Sequence, residues 1–190
     1  MVYSLREIFQ VDTMLEQQKQ KRKNELVQKY TLYCDMDGVL CDFKGRFDHY
    51  SGLSPSEYKE RHGVKQFWKL IDDTVGEVFW SGMGWTPSGK ELWNFIKDFT
   101  PSLLTSPSRN EVSRIGKQKW ASKNLSPTPK IHFKYSKEKK DLATPTSILI
   151  DDREDIIESW NQAGGIGIHH PENTSNISPI LNKLKELGYE

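Results

Sequence analysis

Runs of consecutive apolar residues alternate along this chain with stretches in which apolar positions recur every three or four, and the alternation implies an architecture. Residues 31–36 (TLYCDM), 102–106 (SLLTS) and 147–152 (SILIDD) are short β-favouring runs with little polar interruption, the pattern of strands buried on both faces. Residues 130–135 alternate as a further strand, and 166–169 form a last one. Helical spacing fills the gaps. Leu92, Trp93, Ile96 and Phe99 follow a start at Thr86-Pro87 and stop before Pro101. Ser108-Arg109-Asn110-Glu111 resembles a capping box opening a helix with Val112, Ile115 and Trp120 inward. Residues 154–162 close at Gly164-Gly165, and Ser178-Pro179 begins a final helix with Ile180, Leu181, Leu184 and Leu187 inward. Strands alternating with helices predict an α/β fold, a Rossmann-like parallel sheet with helices on both faces. Such sheets bind ligands off the carboxyl ends of their strands.

Two segments stand outside this rhythm. Residues 4–29 are helical in character, but the apolar stripe of Leu5, Ile8, Phe9, Leu15, Leu26 and Val27 is incomplete and the middle, residues 17–24, is polar all round. That marks a solvated or projecting helix. The second segment follows the first strand. Ser54-Pro55-Ser56-Glu57 is a capping box with proline at the first helical position, Gly63 can close that helix, and another helical stretch runs over 65–72. The insert carries eight rings, Phe47, Tyr50, Tyr58, Phe67, Trp68, Phe79, Trp80 and Trp85. Aromatic packing accounts for most of them. Eight exceed what a few short helices bury by themselves, so Phe67, Trp68 and Trp80 are expected to face a ligand. The predicted division is an N-terminal helical arm (1–30), a core domain (31–43 with 86–190) and a helical cap insert (44–85).

Composition narrows the setting. The 27 basic and 26 acidic residues leave a formal charge of +1, which gives no global reason to expect nucleic acid or an anionic membrane as the main partner. The two cysteines, Cys34 and Cys41, have neither CxxC nor metal-knuckle spacing. No apolar run approaches the roughly 20 residues of a membrane span. A cytoplasmic protein with reduced thiols is expected.

The candidate chemistry lies where the predicted strands end. Asp35 and Asp37 are two apart on an extended chain, so both carboxylates can aim at one place, and their repulsion is relieved by a divalent cation between them. A calcium loop starting at Asp35 would need glycine at Leu40 and glutamate at Arg46, and has neither. Thr105 and Ser106 end the second run, Asp151 and Asp152 end the fourth, and Lys137, Lys139 and Lys140 precede it.

In that order, Asp35-Met36-Asp37-Gly38-Val39, Thr105, the lysine run and Asp151-Asp152 resemble the four motifs of the haloacid dehalogenase-like phosphohydrolases, over residues 31 to about 170. A receiver domain uses similar groups in the reverse order. The resemblance implies that Asp35 is a nucleophile forming an aspartyl-phosphate and that Asp37 is the general acid and then base. It also implies Mg2+ held by Asp35, the Asp37 main-chain carbonyl and Asp152, with Asp151 as an alternative ligand. Thr105, Ser106 and a lysine would cradle the phosphate, with Lys139 favoured over its neighbour Lys140. Within the superfamily the chain is most similar to the 5'(3')-deoxyribonucleotidases and their small bacterial and phage relatives. The carriers are Asp-Met-Asp-Gly-Val-Leu followed by Asp42-Phe43, Phe67-Trp68, Leu104-Thr105-Ser106-Pro107 and Leu149-Ile150-Asp151-Asp152-Arg153. This implies a nucleoside monophosphate substrate whose base meets Phe43, Phe67, Trp68 and Trp80. Two alternatives stand beside it: a phosphatase on nucleic-acid ends, and a phosphate-binding protein without turnover.

Overall fold

The computed structural model of the protein describes residues 5–189, and the side chains of 10–189. The polar N-terminal stretch forms α1 (Leu5–Lys29), followed by β1 (Thr31–Cys34), the middle strand of the main sheet. A two-strand ladder of β2 (Cys41–Asp42) and β3 (Gly84–Trp85) encloses α2 (Phe43–Ser51), α3 (Pro55–Trp68), a π-helical stretch at Lys69–Val75 and α4 (Glu77–Ser81). Then come α5 (Gly89–Ile96), β4 (Ser102–Thr105), α6 (Glu111–Asn124), β5 (Ile131–Phe133) and a 3-10 segment at Ser136–Leu142. The chain ends with β6 (Ser147–Asp151), α7 (Glu154–Gln162), β7 (Ile166–His169) and α8 (Ser178–Glu186).

The five long strands run parallel in the order β5-β4-β1-β6-β7, with Tyr33 opposite Ser102 on one side and Leu149 on the other. Both faces of the sheet are buried. Leu32, Cys34, Leu103, Ile148 and Ile150 face the larger apolar cluster, while Tyr33, Leu104 and Leu149 face Ile156, Ile157 and Trp160 of α7. Neighbouring residues of one strand serve opposite cores, which is why the strand sequences are nearly continuous in apolar character. The expected parallel α/β sheet with helices on both faces is therefore present. Strand order reverses direction at β1, and the crevice beyond its carboxyl end is where such sheets hold ligands.

The insert leaves and returns through the β2–β3 ladder, with Cys41 opposite Trp85 and Asp42 opposite Gly84. Asp42 caps α2 by accepting from the Gly45 amide, and the Ser54–Glu57 capping box opens α3. Gly63, at φ 81°, breaks the helical path where the sequence places a stop. At Gly116 α4 meets α6 at backbone distance, and a β-carbon there would overlap Trp80 and the Glu77 carbonyl.

Two sequence-based boundaries and one buried face shift. The helix after Thr86-Pro87 begins at Gly89, because the Thr86 hydroxyl donates to the Val39 carbonyl and its amide to Leu40, pinning that residue to the turn after β1. Asn110, not Ser108, caps α6, and Ser108 instead donates to Asp72. Ile115 is exposed. The buried face of α6 is Ser113, Gly116, Lys117, Trp120 and Ala121, set by the docking of α4. Among the described residues no helix is long and apolar enough to cross a membrane.

Candidate active site

The site begins where β1 runs out of apolar residues. Asp35 continues the strand, its amide donating to the Ile150 carbonyl, and the chain then turns so that the Leu40 and Cys41 amides both reach the Met36 carbonyl. Gly38 makes this turn at φ 80°, and a side chain there would collide with the Asp152 carboxylate. Glycine is required twice over, by backbone conformation and by the approach of an acid.

Two buried lysines hold the two aspartates separately. Lys139, from the segment before β6, places Nζ 2.7 Å from Asp151 Oδ2 and 3.0 Å from Asp35 Oδ1. The contact to Asp35 is close enough for an ion pair but out of line for a hydrogen bond, so Asp35 Oδ1 is enclosed without a hydrogen-bond donor. Lys117, from α6, donates to Asp37 Oδ2 at 2.6 Å, Thr105 Oγ1 at 2.6 Å and the Ser106 carbonyl at 2.9 Å. All three of its protons are used. Its ammonium also lies 5.2 Å from the ring centroid of Trp80. Asp37 Oδ1 has no hydrogen-bond partner.

The acidic pair at the end of β6 divides in the same way. Asp151 is fully buried, with Oδ2 on Lys139 and Oδ1 accepting from the Arg153 amide at 3.0 Å. The Asp152 carboxylate receives no hydrogen bond from a donor among the described residues. It shares with Asp35 and Asp151 a cluster whose ligand atoms all lie within 4.8 Å. Burial, then the charges of Asp35, Asp151 and Glu172, push the Asp152 carboxyl up to about 8. Burial and Asp35 raise Asp151 to about 6 against the pull of Lys139. Burial raises Asp37 too, and Lys117 opposes it. For Lys139, burial works against the charge, but Asp35 and Asp151 outweigh it and its pKa rises. An uncompensated concentration of carboxylates that persists despite two lysines is a cation site in its chemistry.

A cavity of about 160 Å³ opens onto these groups. Asp35, Asp37, Lys139 and Asp152 form its floor. Ser106, Ser136 and Arg153 form one wall, joined by a 3.1 Å contact between the two serine hydroxyls and a 3.1 Å hydrogen bond from Arg153 Nη1 to Ser136. Gly38, Phe43, Ile156 and Glu172 complete it.

The structure brings together Asp35, Asp37, Ser106, Lys139, Asp152 and Phe43 of the residues singled out from sequence. Thr105 lies behind the cavity, engaged by Lys117, and Asp151 supports Lys139. Four candidates are placed elsewhere. Lys140 is exposed, next to buried Lys139 in the same 3-10 segment, and does not line the cavity. Phe67 and Trp80 are each 1% exposed and Trp68 is 40% exposed; none of the three lines the cavity. The insert buries more rings than its short helices could by themselves because its core is continuous with that of the sheet. Phe67 packs on Phe47 and Phe43, Trp80 on Phe79 and Phe43, and Trp85 on Trp120 of α6.

Sequence reasoning missed Lys117, Ser136, Arg153 and Glu172 as site residues. For Lys117 a signal existed: it shares a helical face with Ser113, Gly116 and Trp120, where a lysine is out of place unless paired. Behind the site, His170 Nε2 and Ser88 Oγ lie 2.8 Å apart, both buried, and the His170 amide donates to the Asp151 carbonyl.

No protein-family model matches the chain, and no curated protein matches it by sequence. Among solved structures it is similar to a haloacid dehalogenase-like family hydrolase from Xanthomonas campestris (12% identity, 84% of this chain and 94% of that one, TM-score 0.49). It is also similar to a HAD hydrolase of family IA, variant 3, from Entamoeba histolytica (16%, 84% and 90%, TM-score 0.43). A third is a HAD family enzyme from Bacteroides thetaiotaomicron in complex with magnesium and inorganic phosphate (15%, 80% and 98%, TM-score 0.41).

Proposed function

We propose that this chain is a magnesium-dependent phosphatase of the haloacid dehalogenase-like type, hydrolysing phosphate monoesters through an aspartyl-phosphate on Asp35. The observation that carries the reading is the division of labour between the two aspartates of one turn, Asp35 beside Lys139 and Asp37 hydrogen-bonded to Lys117. Like charges this close acquire different environments when they have different tasks.

The donor set fits a hard divalent cation. Among the described residues Asp35 Oδ1 lacks a hydrogen bond and the Asp152 carboxylate has no donor, whereas both oxygens of Asp151 are committed. Asp35, Asp152 and the Asp37 main-chain carbonyl are therefore the groups that would hold magnesium. When bound it supplies positive charge that lets an anionic nucleophile meet an anionic phosphate.

The rest follows from the chain's own groups. Lys139 sets its ammonium beside Asp35 and helps fix that carboxylate at the cavity floor. An oxygen of Asp35 attacks phosphorus as the bond to the ester oxygen breaks, and Asp37 gives that leaving oxygen its proton. Burial favours the protonated form of Asp37 for this step, and Lys117 limits the shift so that the carboxylate can form. Ionised Asp37 then takes a proton from water, whose oxygen attacks phosphorus and frees Asp35 and inorganic phosphate. Lys139 and the Ser106 hydroxyl supply positive charge and a donor to the transferring group.

The insert 44–85 is assigned as a cap beside the cavity, with 31–43 and 86–190 as the catalytic core. For the substrate we favour a nucleoside monophosphate, from the motif resemblance to the 5'(3')-deoxyribonucleotidases. Phe43, the one ring at the cavity among the described residues, is its contact for the base. Glu172 at the rim disfavours a polyanionic strand, and the intact Asp35 and Asp37 disfavour a protein that binds without turnover. Assaying nucleoside monophosphates, an aryl phosphate and a phosphate-ended oligonucleotide with and without magnesium tests the assignment. No turnover of any of them with magnesium present would reject it.

A further inference from the structure

One buried carboxylate has no part in the chemistry proposed for the cavity. Asp72 lies in the π-helical stretch Lys69–Val75, whose wide turns are rare and gather at functional sites, and it is buried there together with Ile71. Its Oδ1 accepts two hydrogen bonds, from the indole Nε1 of Trp80 at 3.2 Å and from the Ser108 hydroxyl at 3.0 Å.

Both donors lead to Lys117. The Lys117 ammonium lies over the Trp80 ring, 5.2 Å from its centroid. Ser108 belongs to the loop after β4, two residues past Ser106, whose carbonyl accepts from Lys117 at 2.9 Å. That loop is tied to the helix carrying Lys117, since the Ser108 amide donates to Ser113 Oγ of α6 at 3.0 Å. A fully buried ammonium keeps its charge only while its acceptors and its cover stay in place. For Lys117 these are Asp37, Thr105, the Ser106 carbonyl and the Trp80 ring. Asp72 fixes the ring and the loop that bears one of the acceptors. Without it the indole is free to turn, and Lys117 loses its hold on Asp37.

We propose, on the phosphatase reading of the site, that Asp72 is a positioning residue for the acid-base step: it orients the Trp80 ring and the loop at Ser108, which together hold Lys117 against Asp37. Asp72 does not line the cavity and acts only through these neighbours. A latch that merely joined the insert to the core would serve every substrate equally. A residue acting through Lys117 and Asp37 matters where the leaving oxygen needs a proton, and much less where it does not.

The measurement is kcat/KM of the full chain, which reports the steps up to departure of the leaving group, on an alkyl phosphate and on an aryl phosphate whose phenol is acidic. Asp72→Ala is expected to lower it about ten- to a hundredfold for the alkyl phosphate, the scale of a small misplacement at a reacting group, and about twofold or less for the aryl phosphate. Asp72→Asn keeps an acceptor oxygen for both donors and should recover most of the loss. Trp80→Phe keeps a ring without the N–H and should show the same selectivity, with little further loss when combined with Asp72→Ala. It makes the comparison by itself should Asp72→Ala fail to fold. Equal losses on the two substrates, no loss on either, or an Asp72→Asn chain as slow as Asp72→Ala would overturn the proposal. The Lys117 ε-methylene resonances, which feel the Trp80 ring current, give a readout without turnover. They should move in Asp72→Ala and stay near the wild-type position in Asp72→Asn. A wild-type chain that hydrolyses no phosphate monoester with magnesium defeats the functional reading, whereas unmoved Lys117 resonances in Asp72→Ala overturn the link from Asp72 whatever the activity.

Discussion

The ammonium group of Lys117 lies 2.6 Å from the carboxylate of Asp37, and the lysine is fully buried. The pair joins α6 to the turn after β1, so the proposed acid-base residue is positioned by a helix distant in sequence. Lys117→Met leaves the carboxylate beside Asp35 without a cation, which raises its pKa further. We expect turnover of an alkyl phosphate to fall by about 10² to 10⁴ and the alkaline limb of the pH–rate profile to move upward. Lys117→Arg should recover part of the rate. A variant with wild-type rate and profile would exclude Lys117 from the acid-base step.

Asp35→Asn preserves shape but removes the attacking oxygen's charge. Hydrolysis of every phosphate monoester should become undetectable while the protein folds as before, because the amide relieves repulsion among Asp35, Asp151 and Asp152. Measurable turnover in a preparation free of back-conversion to aspartate would rule out the covalent route.

As a proposed magnesium ligand, Asp152 is expected to couple magnesium binding to pH. Its folded-state pKa, about 8, lies above the ordinary carboxylate value of about 3.9. The unbound folded protein therefore holds a proton that the unfolded chain releases, and this contribution, full below about pH 4, is lost as pH rises toward 8. Without magnesium the unfolding temperature should decline across that window. Magnesium should raise it, more at pH 8 than at pH 5, with a proton released on binding. Asp152→Asn should abolish the magnesium effect and be more stable than wild type at pH 8 in chelator. Asp151→Asn should instead retain magnesium binding and loosen Lys139. An equal magnesium effect at both pH values would contradict this account.

The rings of the insert separate by position. Phe43→Ala should lower nucleotide efficiency relative to an aryl phosphate about five- to a hundredfold, the equivalent of roughly 1 to 3 kcal/mol of base stacking. Phe67→Ala and Trp80→Ala should cost about 3 to 5 kcal/mol of stability as buried ring truncations. Phe67→Ala should leave the ratio between substrates unchanged. A changed ratio in Phe67→Ala with none in Phe43→Ala would reverse the assignment.

What could be read in advance was whatever a strand end makes local. Asp35, Asp37, Asp152 and Ser106 follow directly from where apolar runs stop, and Lys139 is one step further, selected from three lysines on a short turn. The lysine on α6 could not be reached this way. Its role depends on α6 lying beside the first turn, a packing relation between residues 80 positions apart. The rings misled for a related reason, since counting them against the insert presumes that the insert has its own core. Phe43, Trp85 and Trp120 make that core common property with the sheet.

The contact between Gly116 and Trp80 also limits how such a chain can diversify. Gly116 admits the backbone of α4, and the next residue, Lys117, lies over the Trp80 ring while holding Asp37. A new insert exchanged in at the β2–β3 neck would leave Gly116 and Lys117 in place on α6, but Lys117 would keep its packing only if the insert brought an aromatic face at position 80 and a backbone able to approach Gly116. Acquiring another substrate and keeping the acid-base step are thus decided by the same few atoms, and a graft that ignores them should arrive folded and slow.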